Sequence, residues 1–171
     1  MRIFNIGYEG SDIRDFMATL SAAKVRKLAD VRALPLSRKR GFSKNSLREA
    51  LEAQGITYLN FRDLGDPKAG RDAARAGHLA LFRAIYGSHL QSQAAQLALK
   101  ELAREARDDA TCLMCFERDP ENCHRTLILA ALKGFETVDL FATAGPRRDG
   151  PHELAGRGTR EGASAAQQEV W

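Results

Sequence analysis

Two kinds of segment alternate along this chain. Short apolar runs ("RIFNIGY", "RKLADVRAL", "ITYLNF", "ATCLMCFE" and "TVDLFA") read as strands. Between them, apolar residues recur at helical spacing. Ile13, Phe16, Met17 and Leu20 share one face of a helix predicted over 13–23, after the turn "YEGSD". Pro35 stops the second strand. "SKNSLREALEAQG" carries Ser43 as N-cap and Gly55 as stop signal. Helical stretches follow over 73–86 and 90–107, and "HRTLILAALKG" is a last helix closed by Gly134. No internal repeat is visible. Strands alternating with helices predict a single α/β domain. Its central sheet should be mainly parallel, with about five strands and helices on both faces.

The pattern stops near Phe141. "ATAGPRRDGPHELAGRGTREGASAAQQEVW" is rich in Gly, Ala and Arg and poor in apolar residues. Such a composition buries too little surface to order itself. The sequence therefore divides into a domain over 1–142 and an expected flexible tail over 143–171.

Composition narrows the class without naming a function. A hydrophobic content of 44% and a charged content of 28% are ordinary for a globular domain of 171 residues. The formal charge of +4 is mildly basic and selects no partner. The start, "MRIFNIGYEGSD", lacks the apolar run of a leader, and no stretch of ~18 apolar residues suggests a membrane span. Three cysteines in no disulfide pattern predict a reduced, cytoplasmic protein. Nothing in the composition indicates a cofactor or sets the oligomeric state.

In an open α/β sheet, ligands lie beyond the carboxyl ends of the strands. The first strand delivers Gly7, Tyr8 and Glu9 to that edge. The second delivers Asp30 and Arg32, followed by Ser37 and the basic group Arg38, Lys39 and Arg40. The fourth delivers Cys115, Glu117 and the turn from Asp119 to Arg125.

"CFERDPENCHRTLI" admits four readings. Cys112, Cys115, Cys123 and His124 are four possible zinc ligands. However, Cys112 and Cys115 lie in an apolar strand, where residues three apart face opposite sides, so no metal is expected. Cys112 to Arg118 spells C-x5-R, but Leu, Met, Cys, Phe and Glu form a strand rather than a phosphate loop. In a third reading the cysteines are core residues and the acidic groups are solvated. The fourth reading is an anion-binding turn. There Cys115 and Glu117 share a strand face, Arg125 offers a fork to phosphate and His124 moves protons.

The same stretch resembles the C-x-E-x-x-P-x-x-C-H-R signature of the domain-of-unknown-function 488 family. "IGYEG", "DVRALPLSR" and "GITYLNFRDLG" agree with that family in order, so the resemblance spans about Met1 to Phe141. One departure is visible. Relatives read Leu-Gly-Gly where this chain has Leu64, Gly65 and Asp66. The resemblance implies a compact α/β fold and a cytoplasmic setting, with Gly7, Asp30, Arg32, Pro35, Ser37, Glu117, Pro120, Cys123, His124 and Arg125 as shared positions. It implies no settled activity.

Two classes of function follow from these residues. One is an enzyme acting on a phosphate-bearing small molecule or nucleotide. Glu117, His124 and Cys123 would be catalytic, and Gly7, Tyr8, Asp30, Arg32, Ser37, Arg38 and Arg125 would bind the ligand. The other is a non-catalytic module that binds a nucleotide or nucleic acid through the same basic edge, which runs from Arg32 to Arg48 without an acidic residue. Glu117 separates the two, because acid/base chemistry needs a carboxyl group and pure anion binding does not.

Overall fold

A computed structural model of the chain describes residues 1–142, and the expected tail lies outside the described residues. Five parallel strands form one sheet in the order β3-β2-β4-β1-β5. They are β1 (Arg2–Gly7), β2 (Lys27–Asp30), β3 (Thr57–Asn60), β4 (Thr111–Cys115) and β5 (Glu136–Phe141). The helices are α1 (Ile13–Ala22), α2 (Lys44–Glu52), α3 (Lys68–Arg75), α4 (Leu79–Leu90), α5 (Gln93–Asp108) and α6 (Arg125–Ala131). The α/β class and the parallel sheet are as the sequence predicts.

Side chains on a strand alternate between faces, so a two-sided sheet builds two cores. On one face, Phe16, Met17 and Leu20 of α1 and Leu47 and Leu51 of α2 cover Phe4, Ile6, Leu28, Cys112 and Met114. On the other, α4, α5 and α6 cover Ile3, Ala29, Leu113 and Cys115. Cys112 and Cys115 thus lie in different cores, as their spacing requires.

Topology then places the site. The chain leaves β1, passes beyond β4 to form β2 and β3, and returns through three helices to insert β4 between β2 and β1. The carboxyl ends of β1, β4 and β2 therefore lie side by side, with Gly7 paired to Cys115 and Asp30 to Met114. The ladder continues past the strands through Tyr8 N to Cys115 O at 3.3 Å, Glu9 N to Phe116 O at 2.8 Å and Val31 N to Met114 O at 3.2 Å. These bonds hold the three outgoing loops in register at one edge. Among the described residues, no helix is long and apolar enough to cross a membrane.

Candidate active site

The loop after β4 determines what reaches that edge. Asp119 accepts from Glu121 N at 2.9 Å and, through its other oxygen, from Asn122 Nδ2 at 2.9 Å, which shapes the short turn Pro120–Asn122. Cys123 N closes the turn on Pro120 O at 3.1 Å, and Thr126 Oγ1 also donates to that carbonyl. The turn folds the chain back so that Cys123 and His124 come beneath the end of β4, beside Cys115. The whole loop rests on Gly7. A Cβ built there would stand 1.8 Å from the Glu117 carbonyl oxygen, so only glycine admits the approach.

His124 is the centre of the cluster. Its Nε2 lies 2.9 Å from Val31 O, a contact that requires a proton on that nitrogen. Its Nδ1 faces Cys123 Sγ at 3.8 Å and Cys115 Sγ at 4.0 Å. Arg125 Nε donates to Cys123 Sγ at 3.2 Å, and its Nη2 donates to Glu117 O. Burial alone pushes a thiol up. The Cys115 thiol, His124 and Arg125 outweigh burial at Cys123 and hold it well below the ordinary thiol range. Burial lowers His124, but the neighbouring Cys123 charge overcomes this and raises it. Cys115 moves the other way, raised by its contact with Cys123 and by burial. The three groups can therefore support a Cys123 thiolate paired with a His124 imidazolium.

Two carboxyl groups stand nearby. Glu117 Oε2 and Asp66 Oδ1 are buried and accept no hydrogen bond from the described residues. Burial and the Cys123 charge push Glu117 up to about 7. Burial raises Asp66 to about 6 against the opposing pull of His124 and Arg71. Both groups can therefore hold or release a proton near neutrality, as a general acid or base must. Gly70 of α3 makes room for Asp66, since a Cβ there would meet Asp66 Oδ1 at 2.1 Å.

A cavity of about 540 Å³ opens above the cluster, a volume within the range of small-molecule sites. Cys115, Glu117, Cys123, His124 and Asp66 line it together with Tyr8 and Arg32. Arg38, Arg71 and Arg75 also line it, as do Leu34, Leu36 and Phe116, all three of them exposed.

The cavity thus collects seven of the ten predicted site residues: Tyr8, Arg32, Ser37, Arg38, Glu117, Cys123 and His124. The other three stand behind its wall. Gly7 serves the loop contact just described. Asp30 is fully buried and holds Arg32 through two contacts, 2.8 Å to Nε and 2.6 Å to Nη2, while Tyr58 Oη donates to it at 2.7 Å. Arg32 spends its remaining reach on Tyr8 Oη at 3.1 Å and Phe42 O at 2.9 Å. Arg125 is 0% exposed and does not line the cavity; its Nε donates to the Cys123 sulfur, and its Nη1 is buried with no partner among the described residues.

Three charged lining residues escape the sequence reading: Asp66, Arg71 and Arg75. The departure from Leu-Gly-Gly at Asp66 is the one signal that could have flagged a member of this group. The basic run is less available than its sequence suggests. Arg32 is buried, Lys39 reaches Tyr8 O at 3.4 Å, and Arg48 lies over the Tyr58 ring at 5.6 Å. Phe42, the one aromatic in that run, is fully buried against Tyr8 at 4.3 Å. As for metals, ligand atoms of Cys115, Cys123 and His124 lie within 4.8 Å of one another. Cys112, which the four-ligand zinc reading would need, is absent from this group because it faces the opposite core.

Neither a curated protein nor a solved structure shows a significant match to the chain. The model of one protein family does match, over residues 12–132, a span that begins just before α1 and ends just after α6. Strands β1 and β5 fall outside the match yet complete the same sheet. The chain belongs to the family described as domain of unknown function DUF488.

Proposed function

We propose that the protein is a thiol-dependent enzyme acting on a small molecule that carries a phosphate group, in a reducing, cytoplasmic setting. One observation carries this reading. At the cavity floor, Cys123 Sγ is flanked by His124 Nδ1 at 3.8 Å and Arg125 Nε at 3.2 Å. A cationic surround of this kind is how a buried cysteine becomes a nucleophile.

The charges are segregated. At the floor, His124 and Arg125 are already engaged by the Cys123 sulfur, and the carboxyl groups of Glu117 and Asp66 stand beside them, so no free cation there awaits a phosphate dianion. The rim holds Arg38, Arg71 and Arg75, whose guanidinium forks suit one. The phosphate is therefore the handle, and the reacting centre is a carbonyl carbon further down. The Cys123 thiolate attacks that carbon and forms an S–C bond. The leaving group departs with the proton of Glu117, a residue poised at about 7. Glu117, now a base, takes a proton from water as the resulting hydroxide cleaves the S–C bond. This step restores the thiolate and the protonated carboxyl. Exposed Leu34, Leu36 and Phe116 cover the apolar remainder of the substrate.

A panel of phosphorylated esters and thioesters, screened for turnover with chelator-treated protein, tests the reading. Cys123→Ser should abolish turnover. Arg38→Ala and Arg75→Ala should raise KM with kcat nearly unchanged, because they remove uniform binding. Glu117→Gln should lower kcat. Full turnover by Cys123→Ser overturns the nucleophile, and unchanged KM in both arginine variants overturns the phosphate handle.

A further inference from the structure

We infer that Cys115, Cys123 and His124 form a binding site for one zinc ion, with a fourth coordination position open to the cavity. Cys112 faces the opposite core and cannot join them, whereas the turn Pro120–Asn122 brings the other three residues together.

Three independent features support the site. The first is spacing. Tetrahedral zinc with bonds of ~2.3 Å to sulfur and ~2.05 Å to nitrogen separates sulfur from nitrogen by roughly 3.6 Å. The observed separations are 3.8 Å from Cys123 and 4.0 Å from Cys115, a few tenths of an ångström above that value, and all three ligand atoms lie within 4.8 Å of one another. The second is the tautomer. The contact of His124 Nε2 with Val31 O keeps a proton on that nitrogen, so Nδ1, which faces both sulfurs, is the nitrogen that gives up its proton when a metal binds. A ligating histidine is ordinarily oriented by such a bond to a backbone carbonyl. The third is the outer shell. Arg125 Nε donates to the Cys123 sulfur, while Glu117 Oε2 and Asp66 Oδ1, buried acceptors with no partner among the described residues, belong to side chains that line the same cavity as the ligands. A water on the metal would give those oxygens a donor.

Ligand chemistry selects the ion. Two thiolates and an imidazole favour a thiophilic cation over calcium or magnesium, which take oxygen ligands. Two thiolates also neutralise a divalent charge, which a buried site needs. A zinc-loaded site has no free Cys123 thiolate, so metal occupancy and nucleophilic turnover exclude each other. Binding is measured without reference to turnover, which keeps the two ideas separately testable.

Cobalt(II) is the probe. Titrating the chelator-treated 171-residue chain should saturate at one equivalent. An intense thiolate-to-metal absorption in the near ultraviolet should appear, with visible bands of tetrahedral cobalt, and zinc should bleach both. Cys112→Ala should keep the signal, and Cys115→Ala or Cys123→Ala should lose it. Absence of the charge-transfer band overturns the site, as does an undiminished band in Cys115→Ala. Should the cysteine variants fail to fold, peptide mapping of iodoacetamide-treated wild type decides. Zinc should protect Cys115 and Cys123 and chelator should restore their alkylation, whereas equal alkylation with and without zinc overturns the proposal.

Discussion

Asp66 illustrates how a single residue acquires properties that its type does not predict. An exposed aspartate ionises far below neutrality. Here burial raises it from 3.8 to about 6, and its Oδ1 has no donor among the described residues. The folded state therefore binds a proton more tightly than the unfolded state. Its contribution to stability is present below about 4 and is lost as pH rises through about 6. A tenfold difference in proton affinity between the two states corresponds to ~1.4 kcal/mol. Asp66→Asn removes this liability. Urea denaturation should find the variant more stable than wild type at pH 7.5 by about 2 kcal/mol and nearly equal to it at pH 4. A wild-type advantage at pH 7.5 would show that the carboxylate is paired.

At the scale of elements, the site depends on a loop that docks on a strand end. Gly7 terminates β1 where the Glu117 carbonyl crosses it, so Gly7→Ala forces backbone apart. The expected cost is about 3 kcal/mol. Gly10, in the next turn, has φ +76° but open space around its Cβ position. Gly10→Ala should cost about 1 kcal/mol, from backbone strain alone. Chemical denaturation of the pair separates crowding from strain, and equal costs would contradict the close approach. Helix boundaries followed local signals with one instructive exception. Apolar spacing suggests one helix over 73–86, whereas the chain breaks between α3 and α4 at Gly77, with φ +76°. The break lets α3 carry Gly70, Arg71 and Arg75 to the cavity side, which periodicity alone does not reveal.

Across the whole molecule, Asp30 and Arg32 tie three strands together. Arg32 pairs with Asp30 on β2, meets Tyr8 beyond β1 and binds Phe42 O before α2, while Tyr58 of β3 donates to Asp30. Removing one partner of such a buried pair leaves an uncompensated charge, so Asp30→Asn should cost about 3–5 kcal/mol. The double variant Asp30→Asn with Arg32→Met should recover part of that loss in denaturant titrations. Additive costs would mean that the two residues are not energetically coupled.

The apolar pattern was enough to determine an α/β fold with a parallel sheet, because side-chain periodicity is set locally by backbone geometry. It also placed Glu117, Cys123 and His124 at a carboxyl edge, since strand ends are visible in sequence. Three things were decided only in the folded molecule. Strand order put β4 between β2 and β1 and so gathered three loop sets at one edge. The turn Pro120–Asn122 buried Arg125 and aimed it at a sulfur rather than at solvent. Chain return through α3 brought Asp66, Arg71 and Arg75 to a cavity whose other walls come mainly from Tyr8, the loop after β2 and the loop after β4. Long-range placement of this kind depends on packing between elements, which local residue preferences do not encode.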